Sequence, residues 1–385
     1  MIRMITIVGA RPQFIKAAAI SRAIRSRFAH DIREIIVHTG QHYDPGMSNV
    51  FFEELDIPKE NYNLNAGSGS HAVQTAAMLV GIEQILEIEK PHVLLLYGDT
   101  NSTLAGAVAA SKLHIPIIHI EGGVRSYHKD YPEEVNRLLC DHLSTLVFVP
   151  TRSGVESLYK EGFPSDNPGP YHADNPRVYH CGDIMYDNSL YFASIAREKS
   201  PILRALGIEG KRFGLVTMHR PNNVDDPKVL GQLFGGFSTL ARENNLMLVI
   251  PLHPRTAKAL ESGVDPVIRE ELKNNALIRI IPAVSFLEII NLETHAEIVF
   301  TDSGGVQKEA YYFKKPCVIL LEKTPWGELV ESGSAILAGS DPARIKHAFH
   351  ELMAKAGRLQ FPDIFGDGKA AYFICEKILE NFKPA

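Results

Sequence analysis

Three observations predict an α/β chain built from two doubly wound, Rossmann-like parallel sheets. Short runs rich in Ile and Val alternate with helical patterns from one end of the sequence to the other, these runs are almost continuously apolar, and polar, glycine-bearing segments follow them. Continuously apolar strands joined by helices belong to parallel sheets covered on both faces. At 385 residues the chain exceeds what one hydrophobic core commonly supports, so the pattern is read as two domains.

The first set of strand-like runs is MITIVGA, EIIVHTG, HVLLLYG, PIIHIEG, TLVFVP and RVYHCGD. The second is FGLVTMH, LMLVIPLH, LIRIIPA, EIVFTD, PCVILLE and SAILAG. A helical stretch over 183–212 separates the two sets, which gives an N-terminal domain over 1–185, a C-terminal domain over 186–365 and a hinge near Met185. The last pattern, AAYFICEKILENF, is an amphipathic helix with no strand after it. The segment 366–385 is therefore expected to cross back and pack on the first domain. Four prolines within 163–177 exclude helix and central strand there, so that stretch is read as a surface insertion.

Composition narrows the class. With 45% hydrophobic and 22% charged residues and a net charge of −5, the chain has no basic surplus for nucleic acid, and no run reaches the length of a membrane span. The opening residues enter a strand-like run without the regions of a signal peptide, so a cytoplasmic protein is expected. Four scattered cysteines form no C-x-x-C pair and are read as buried, reduced thiols; sixteen histidines show no metal-ligand spacing, so no metal is expected.

In open parallel sheets ligands sit beyond the carboxyl ends of the strands, so the candidate residues are the ones just after each run. They come from both halves, which suggests a ligand held between two domains. After EIVF comes TDSGGVQKEA. Ser303, Gly304 and Gly305 open a helix there, and free N–H groups at such a start make a phosphate seat. The alternative is an ordinary tight turn capped by Asp302 or Ser303. Glu309, one helical turn on, could accept hydrogen bonds from ribose hydroxyls.

The first run ends in GARPQFIK. It lacks the second and third glycines of a G-x-G-x-x-G loop, so no nicotinamide or flavin cofactor is indicated. Arg11 and Lys16 at the start of a helix oppose its dipole unless an anion sits there. Asp99, Glu121 and Glu133 lie at strand ends or helix starts and could supply a base and an acid. Asp99 could equally be a helix cap, and Glu133 beside Glu134 ordinary first-turn acidity, whereas Glu121 sits among apolar and glycine residues with Arg125 close by. In the second half His219 and Arg220 suit a phosphate or leaving group, while His253 and Arg255 read as structural.

Taken together, VGARPQFIK, TGQHYD, GDTNSTLAGA, HIEGGVRS, PEEVNR, MHRPNN, PLHPRT and TDSGGVQKEA resemble the motif series of the non-hydrolysing UDP-N-acetylglucosamine 2-epimerases. The resemblance implies a glycosyltransferase-B-like pair of domains, a UDP-sugar substrate, no cofactor and a homodimer. It implies substrate contacts from Arg11, Lys16, Asp99, Glu121, Arg125, His219, Arg220, Ser303, Gly304, Gly305 and Glu309, and chemistry from Asp99, Glu121, Glu133 and His219. Leu321 stands where members commonly carry Arg, Ala283 and Ile289 fall at the uracil-side positions, and Ala77 replaces an arginine that some bacterial members use for activation by substrate. GARPQFIK and GDTNSTLAG are closer to the branch that epimerises 2,3-diacetamido-uronic acid sugar nucleotides.

The reaction implied is inversion at C2 by elimination of UDP to a glycal and re-addition, interconverting UDP-GlcNAc and UDP-ManNAc. The diacetamido-glucuronate substrate is the alternative, and a UDP-sugar glycosyltransferase is the reading from another class.

Overall fold

The structure, a computed structural model, describes residues 1–41 and 59–382. Residues 42–44 of the TGQHYD motif lie outside this range. The chain divides into two compact units, Met1–Asn188 joined by the segment from Asp363 onward, and Ser189–Pro362.

The first unit holds a wholly parallel seven-stranded sheet. Its strands are β1 (Ile2–Val8), β2 (Ile32–His38), β3 (Tyr62–Asn63), β4 (Val93–Tyr97), β5 (Ile117–Ile120), β6 (Leu146–Val149) and β7 (Arg177–His180), in the order β3-β2-β1-β4-β5-β6-β7. Each of the six apolar runs foreseen in this half became a strand. β3 was not foreseen: it is two residues long, pairs only with Val37 and His38 at the sheet edge, and is too short to carry a pattern. One face is sealed by Ile5, Ile7, Val37, Leu94 and Leu96 packed with Met78, Ile82 and Ile85 of the helix His71–Glu89 and the alanines of the helix Asn101–Lys112.

Strand order reverses between β1 and β4, and the loops that leave these strands are tied by Gln13. This side chain is buried. Its Oε1 accepts from Gly9 N (2.9 Å) and Ala10 N (3.1 Å), while its Nε2 donates to Tyr97 O (2.9 Å) and Thr103 Oγ1 (3.0 Å). Buried backbone groups without partners would be costly here, and one amide satisfies three of them.

The second unit holds a parallel six-stranded sheet of β8 (Phe213–Thr217), β9 (Met247–Leu252), β10 (Ile278–Pro282), β11 (Ile298–Thr301), β12 (Cys317–Ile319) and β13 (Ala335–Leu337), ordered β10-β9-β8-β11-β12-β13. All six second-half runs are strands. The core is aromatic, with Phe237 edge-on to Phe300 at 5.5 Å between ring centres. The reversal falls between β8 and β11, where the wholly buried Asp302 accepts from His219 N (3.0 Å), Arg220 N (3.0 Å) and Asn223 Nδ2 (2.9 Å).

The helix Ala370–Phe382 belongs to the first unit. The Asp187 carboxylate accepts from Ala370 N (3.1 Å) and Ala371 N (2.8 Å) in its first turn, and burial pushes the Asp187 carboxyl up to about 6. Phe373 meets Phe148 and Tyr179 of the sheet. Residues 163–176 contain no helix or named strand, only an isolated bridge between His172 and Asn175, and Arg177 opens β7. All four cysteines are free thiols; Cys181 is half-buried rather than buried. Among the described residues no helix is long and apolar enough to cross a membrane.

Candidate functional site

In the first unit the candidate residues cluster at the carboxyl ends of β1, β4 and β5. Glu121 follows β5 directly and adopts φ +70°, a conformation that non-glycine residues enter at a cost and that marks constrained positions. The glycines behind it have definite reasons. A Cβ on Gly122 would lie 2.3 Å from Val147 Cγ1 and 2.5 Å from Asp141 Oδ1, and Gly123 has φ +74°. So tight a turn aims the Glu121 carboxylate back across the sheet end, where it is ion-paired with Lys16.

Lys16 was expected to await an anionic ligand, but in this structure its anion is Glu121. Arg11, on the first turn of the same helix, is exposed. Gly98 lies against the Lys16–Glu121 pair, since a Cβ there would sit 3.2 Å from Lys16 Nζ and 4.0 Å from Glu121 Oε2. The next residue, Asp99, is not the helix cap. Thr100 caps the helix Asn101–Lys112, and Asp99 is ion-paired with Arg137 while its carbonyl accepts from Asn136 Nδ2 at 2.9 Å.

Arg137 also donates to Glu134 Oε2 at 2.7 Å. Glu134 is buried and accepts from the backbone N–H groups of Ser126 (3.0 Å) and Tyr127 (2.9 Å). Burial would raise its carboxyl, yet those N–H groups and Arg137 outweigh it and hold it below the usual range. Its neighbour Glu133 is exposed on the first turn of the helix Pro132–Leu143, with no such network.

Arg125 requires a correction. It was expected at the substrate, but its side chain is 1% exposed and is engaged by Asp141 (2.7 Å) and by Glu161 through Nε (2.7 Å) and Nη2 (2.8 Å). It therefore braces the loop that carries Glu121. Asp141 also accepts from Gly123 N (3.0 Å) and lies 2.7 Å from His119 Nδ1. Burial alone would raise the Asp141 carboxyl, but His119, Arg125 and the Gly123 N–H together hold it below the usual range.

In the second unit Ser303 is the cap of the helix Gly304–Tyr312, its Oγ accepting from Val306 N at 3.5 Å. Asp302 is not the cap but the tie to the β8 loop. Gly304 and Gly305 have negative φ. Among the described residues the nearest atom to a Cβ added at Gly304 would be Trp326 Nε1 at 3.5 Å, and at Gly305 Ser303 Oγ at 3.7 Å. Trp326 donates through Nε1 to Gly304 O (3.1 Å), and Lys308 Nζ stands 4.3 Å from its ring centre.

His219 Nδ1 lies 3.2 Å from Asp302 Oδ1 with about half of its side chain exposed, so its outer edge is accessible. Arg220 is exposed as well, and its Nε donates to Asp302 O at 3.4 Å. Glu309 is half-buried next to the wholly buried Glu293, whose carboxyl is raised well above the usual range by burial and by Glu309. His253 is a cap, accepting from Arg255 N at 3.3 Å, and Arg255 pairs with Asp225. Leu321 and Ile289 are half-buried; Ala283 and Ala77 are exposed.

The first unit thus offers carboxylates, two of them held beside cations, and the second offers a glycine-opened helix start with His219 and Arg220 nearby. Sequence reasoning did not find His119, Glu134, Arg137, Asp141, Glu161 or Glu293, which lie inside a strand, within helices or just after one rather than at strand ends.

Two such sheets, each with its polar loops at the point of reversal, define an α/β enzyme of the glycosyltransferase-B-like, nucleotide-sugar class. MurG of Acinetobacter baumannii, 13% identical over 98% of this chain and 99% of its own with a TM-score of 0.57, shares this fold. The family model for UDP-N-acetylglucosamine 2-epimerase matches residues 25–379, and the chain belongs to that family. A UDP-N-acetylglucosamine 2-epimerase homolog of Methanococcus maripaludis is 44% identical over 98% of this chain and 99% of its own. The UDP-2,3-diacetamido-2,3-dideoxy-D-glucuronate 2-epimerase of Pseudomonas aeruginosa is 42% identical over 97% and 98%. The solved structure of UDP-GlcNAc 2-epimerase from Methanocaldococcus jannaschii is similar over 98% of this chain and 99% of its own, with 36% identity and a TM-score of 0.84. A second structure of that enzyme, in complex with UDP-GlcNAc and UDP, gives 0.79 with the same identity and coverage.

Replacing Arg125 with Met removes the guanidinium that Asp141 and Glu161 share and should cost about 3–5 kcal/mol of stability while UDP affinity stays unchanged. Thermal denaturation and calorimetric titration with UDP check this. Weakened UDP binding in a variant of undiminished stability would return Arg125 to the ligand.

Proposed function

We propose that this protein is a non-hydrolysing UDP-N-acetylglucosamine 2-epimerase that interconverts UDP-GlcNAc and UDP-ManNAc. One observation carries the reading: nothing in the described chain, neither backbone conformation nor packing, requires glycine at 304 or 305, yet both open a helix whose first N–H groups have no intrahelical partner. Space left open at a helix N-terminus suits a diphosphate approaching the backbone.

The C2 proton of a UDP-amino sugar is weakly acidic, so its removal is coupled to departure of UDP. A base takes the C2 proton, the C–H electron pair becomes the C1=C2 bond of a glycal, and the C1–O bond breaks with its electrons going to UDP. C2 is then planar. UDP re-adds to C1 as a proton arrives at the opposite face of C2, and no other reactant is consumed.

The helix start at Ser303–Gly305, with His219 and Arg220, is assigned to the departing diphosphate, and Glu309 to the ribose. Asp99, Glu121 and Glu133 are assigned to proton transfer. Glu121 is ion-paired with Lys16, and Asp99 with Arg137. Arg11 and Lys16 also remain in the proposal as contacts to the sugar nucleotide.

A second substrate, UDP-2,3-diacetamido-2,3-dideoxy-glucuronic acid, is favoured by the 42% sequence identity to the Pseudomonas enzyme, against 39% to the Methanocaldococcus one. Parallel incubation with both sugar nucleotides, reading C2 configuration by NMR, separates the two. A glycosyltransferase would leave C2 unchanged when no acceptor is present.

The proposal includes a cytoplasmic homodimer serving polysaccharide biosynthesis. In support of the dimer, the helix His71–Glu89 exposes Val73, Val80 and Ile88, and the helix Pro132–Leu143 exposes Val135 and Leu139. Exposed apolar side chains on two helices that both pack against the helix Asn101–Lys112 suit a second copy. Sedimentation equilibrium should give about twice the 42.7 kDa chain mass; a single chain mass at micromolar concentration would remove the dimer.

Glu121→Gln and Asp99→Asn should each lower turnover about 100-fold or more with UDP affinity nearly intact. Full activity in both would take the carboxylates out of the mechanism. Gly305→Val, whose Cβ would meet Ser303 Oγ at an ordinary contact distance of 3.7 Å, should keep the fold and weaken UDP binding about 100-fold, and unchanged titration with UDP would remove the helix start from the site.

A further inference from the structure

The imidazole of His119, in β5, is wholly buried between two oxygen atoms. Its Nδ1 lies 2.7 Å from Asp141 Oδ1, and its Nε2 lies 2.7 Å from the carbonyl oxygen of Gly98. A carbonyl oxygen can only accept. Asp141 also accepts from Gly123 N at 3.0 Å and is ion-paired with Arg125 at 2.7 Å, so it too is an ionised acceptor. A neutral imidazole has one N–H and one lone pair, and that lone pair would then face an oxygen lone pair at hydrogen-bond distance.

We infer that His119 carries hydrogen on both ring nitrogens and, as a buried imidazolium, is a positioning residue for the two turns that bear Asp99 and Glu121. One ring nitrogen holds the carbonyl of Gly98, directly before Asp99. The other holds Asp141, whose second oxygen holds the N–H of Gly123, two residues past Glu121. Gly98 N in turn donates to Ile120 O at 2.9 Å, so the two turns are joined on both sides of the ring.

The surrounding charges agree. Asp141 faces the ring from the helix Pro132–Leu143, Arg125 comes from the loop after β5, and Glu161 pairs with Arg125 from the end of the helix Arg152–Lys160. His142, half exposed, lies 3.7 Å from Glu161. With His119 charged, two cations meet two carboxylates, Glu161 being the one partly exposed member of the four. A shift of the Gly98 turn would also disturb the Lys16–Glu121 pair, because Gly98 packs against Lys16 Nζ.

The protonation state rests on geometry alone, while the positioning role rests on the proposed epimerase reading. The test uses the full chain with 15N-labelled histidine, and His119 is identified by comparison with His119→Gln and by through-bond assignment in the unmutated protein. At pH 7.5 both ring nitrogens of His119 should show directly bonded hydrogen. A single-hydrogen tautomer at that pH overturns the inference. In folded His119→Gln, kcat should fall about 100-fold, with KM for the sugar nucleotide and Kd for UDP within about twofold of the unmutated values, as misplacement of reacting groups predicts. An unchanged kcat in that variant overturns the positioning role. If the unmutated enzyme epimerises neither sugar nucleotide, the epimerase reading fails while the NMR result still decides the charge on His119.

Discussion

Where two neighbouring parallel strands send their chains in opposite directions, the backbone groups at their carboxyl ends separate and lose their sheet partners. Each unit answers this constraint with one buried polar side chain. Gln13 meets two N–H groups, a carbonyl and a hydroxyl, so an amide that both donates and accepts is needed. Asp302 meets only donors, two backbone N–H groups and the amide of Asn223, so a carboxylate serves. The conformations of GARPQ, GDTNS, MHRP and TDSGG follow from these two ties, and every candidate loop at the two reversals borders one of them.

The charge arrangement extends from there. The Asp302 carboxylate is directed to the β8 loop rather than to the helix that follows, whose first turn is capped by Ser303 through Val306 N. In the first unit, Glu121 and Asp99 are not isolated acids but members of ion pairs with Lys16 and Arg137. Beneath them lies a second, wholly internal layer of His119, Asp141 and Arg125 that fixes the turns rather than the carboxylates themselves. A site in which acids are paired with cations and backbone turns are doubly tied suits a reaction whose catalysis is proton transfer at a fixed carbon.

Much of this was legible in the sequence because strand-end positions advertise themselves. All twelve apolar runs are strands, and the polar residues behind them are the loops at the ligand-binding end. The edge strand Tyr62–Asn63 gave no signal because two residues have no periodicity. Arg125 was misread since a charged residue near a glycine turn looks available until its burial against Asp141 and Glu161 is known. His119 looked like one apolar-strand residue among others, and Arg137 and Asp141 like ordinary helix polarity. Their partners are distant in sequence, and only the folded sheet brings them together.

The central claim is that C2 of a UDP-amino sugar loses its proton and regains one from the enzyme. Turnover of UDP-GlcNAc and of its 2,3-diacetamido-uronic analogue in deuterium oxide, followed by proton NMR, tests it most directly. The account predicts that the C2 proton signal of the epimerised product disappears as deuterium takes its place. Inverted product that retains protium at C2 would contradict it.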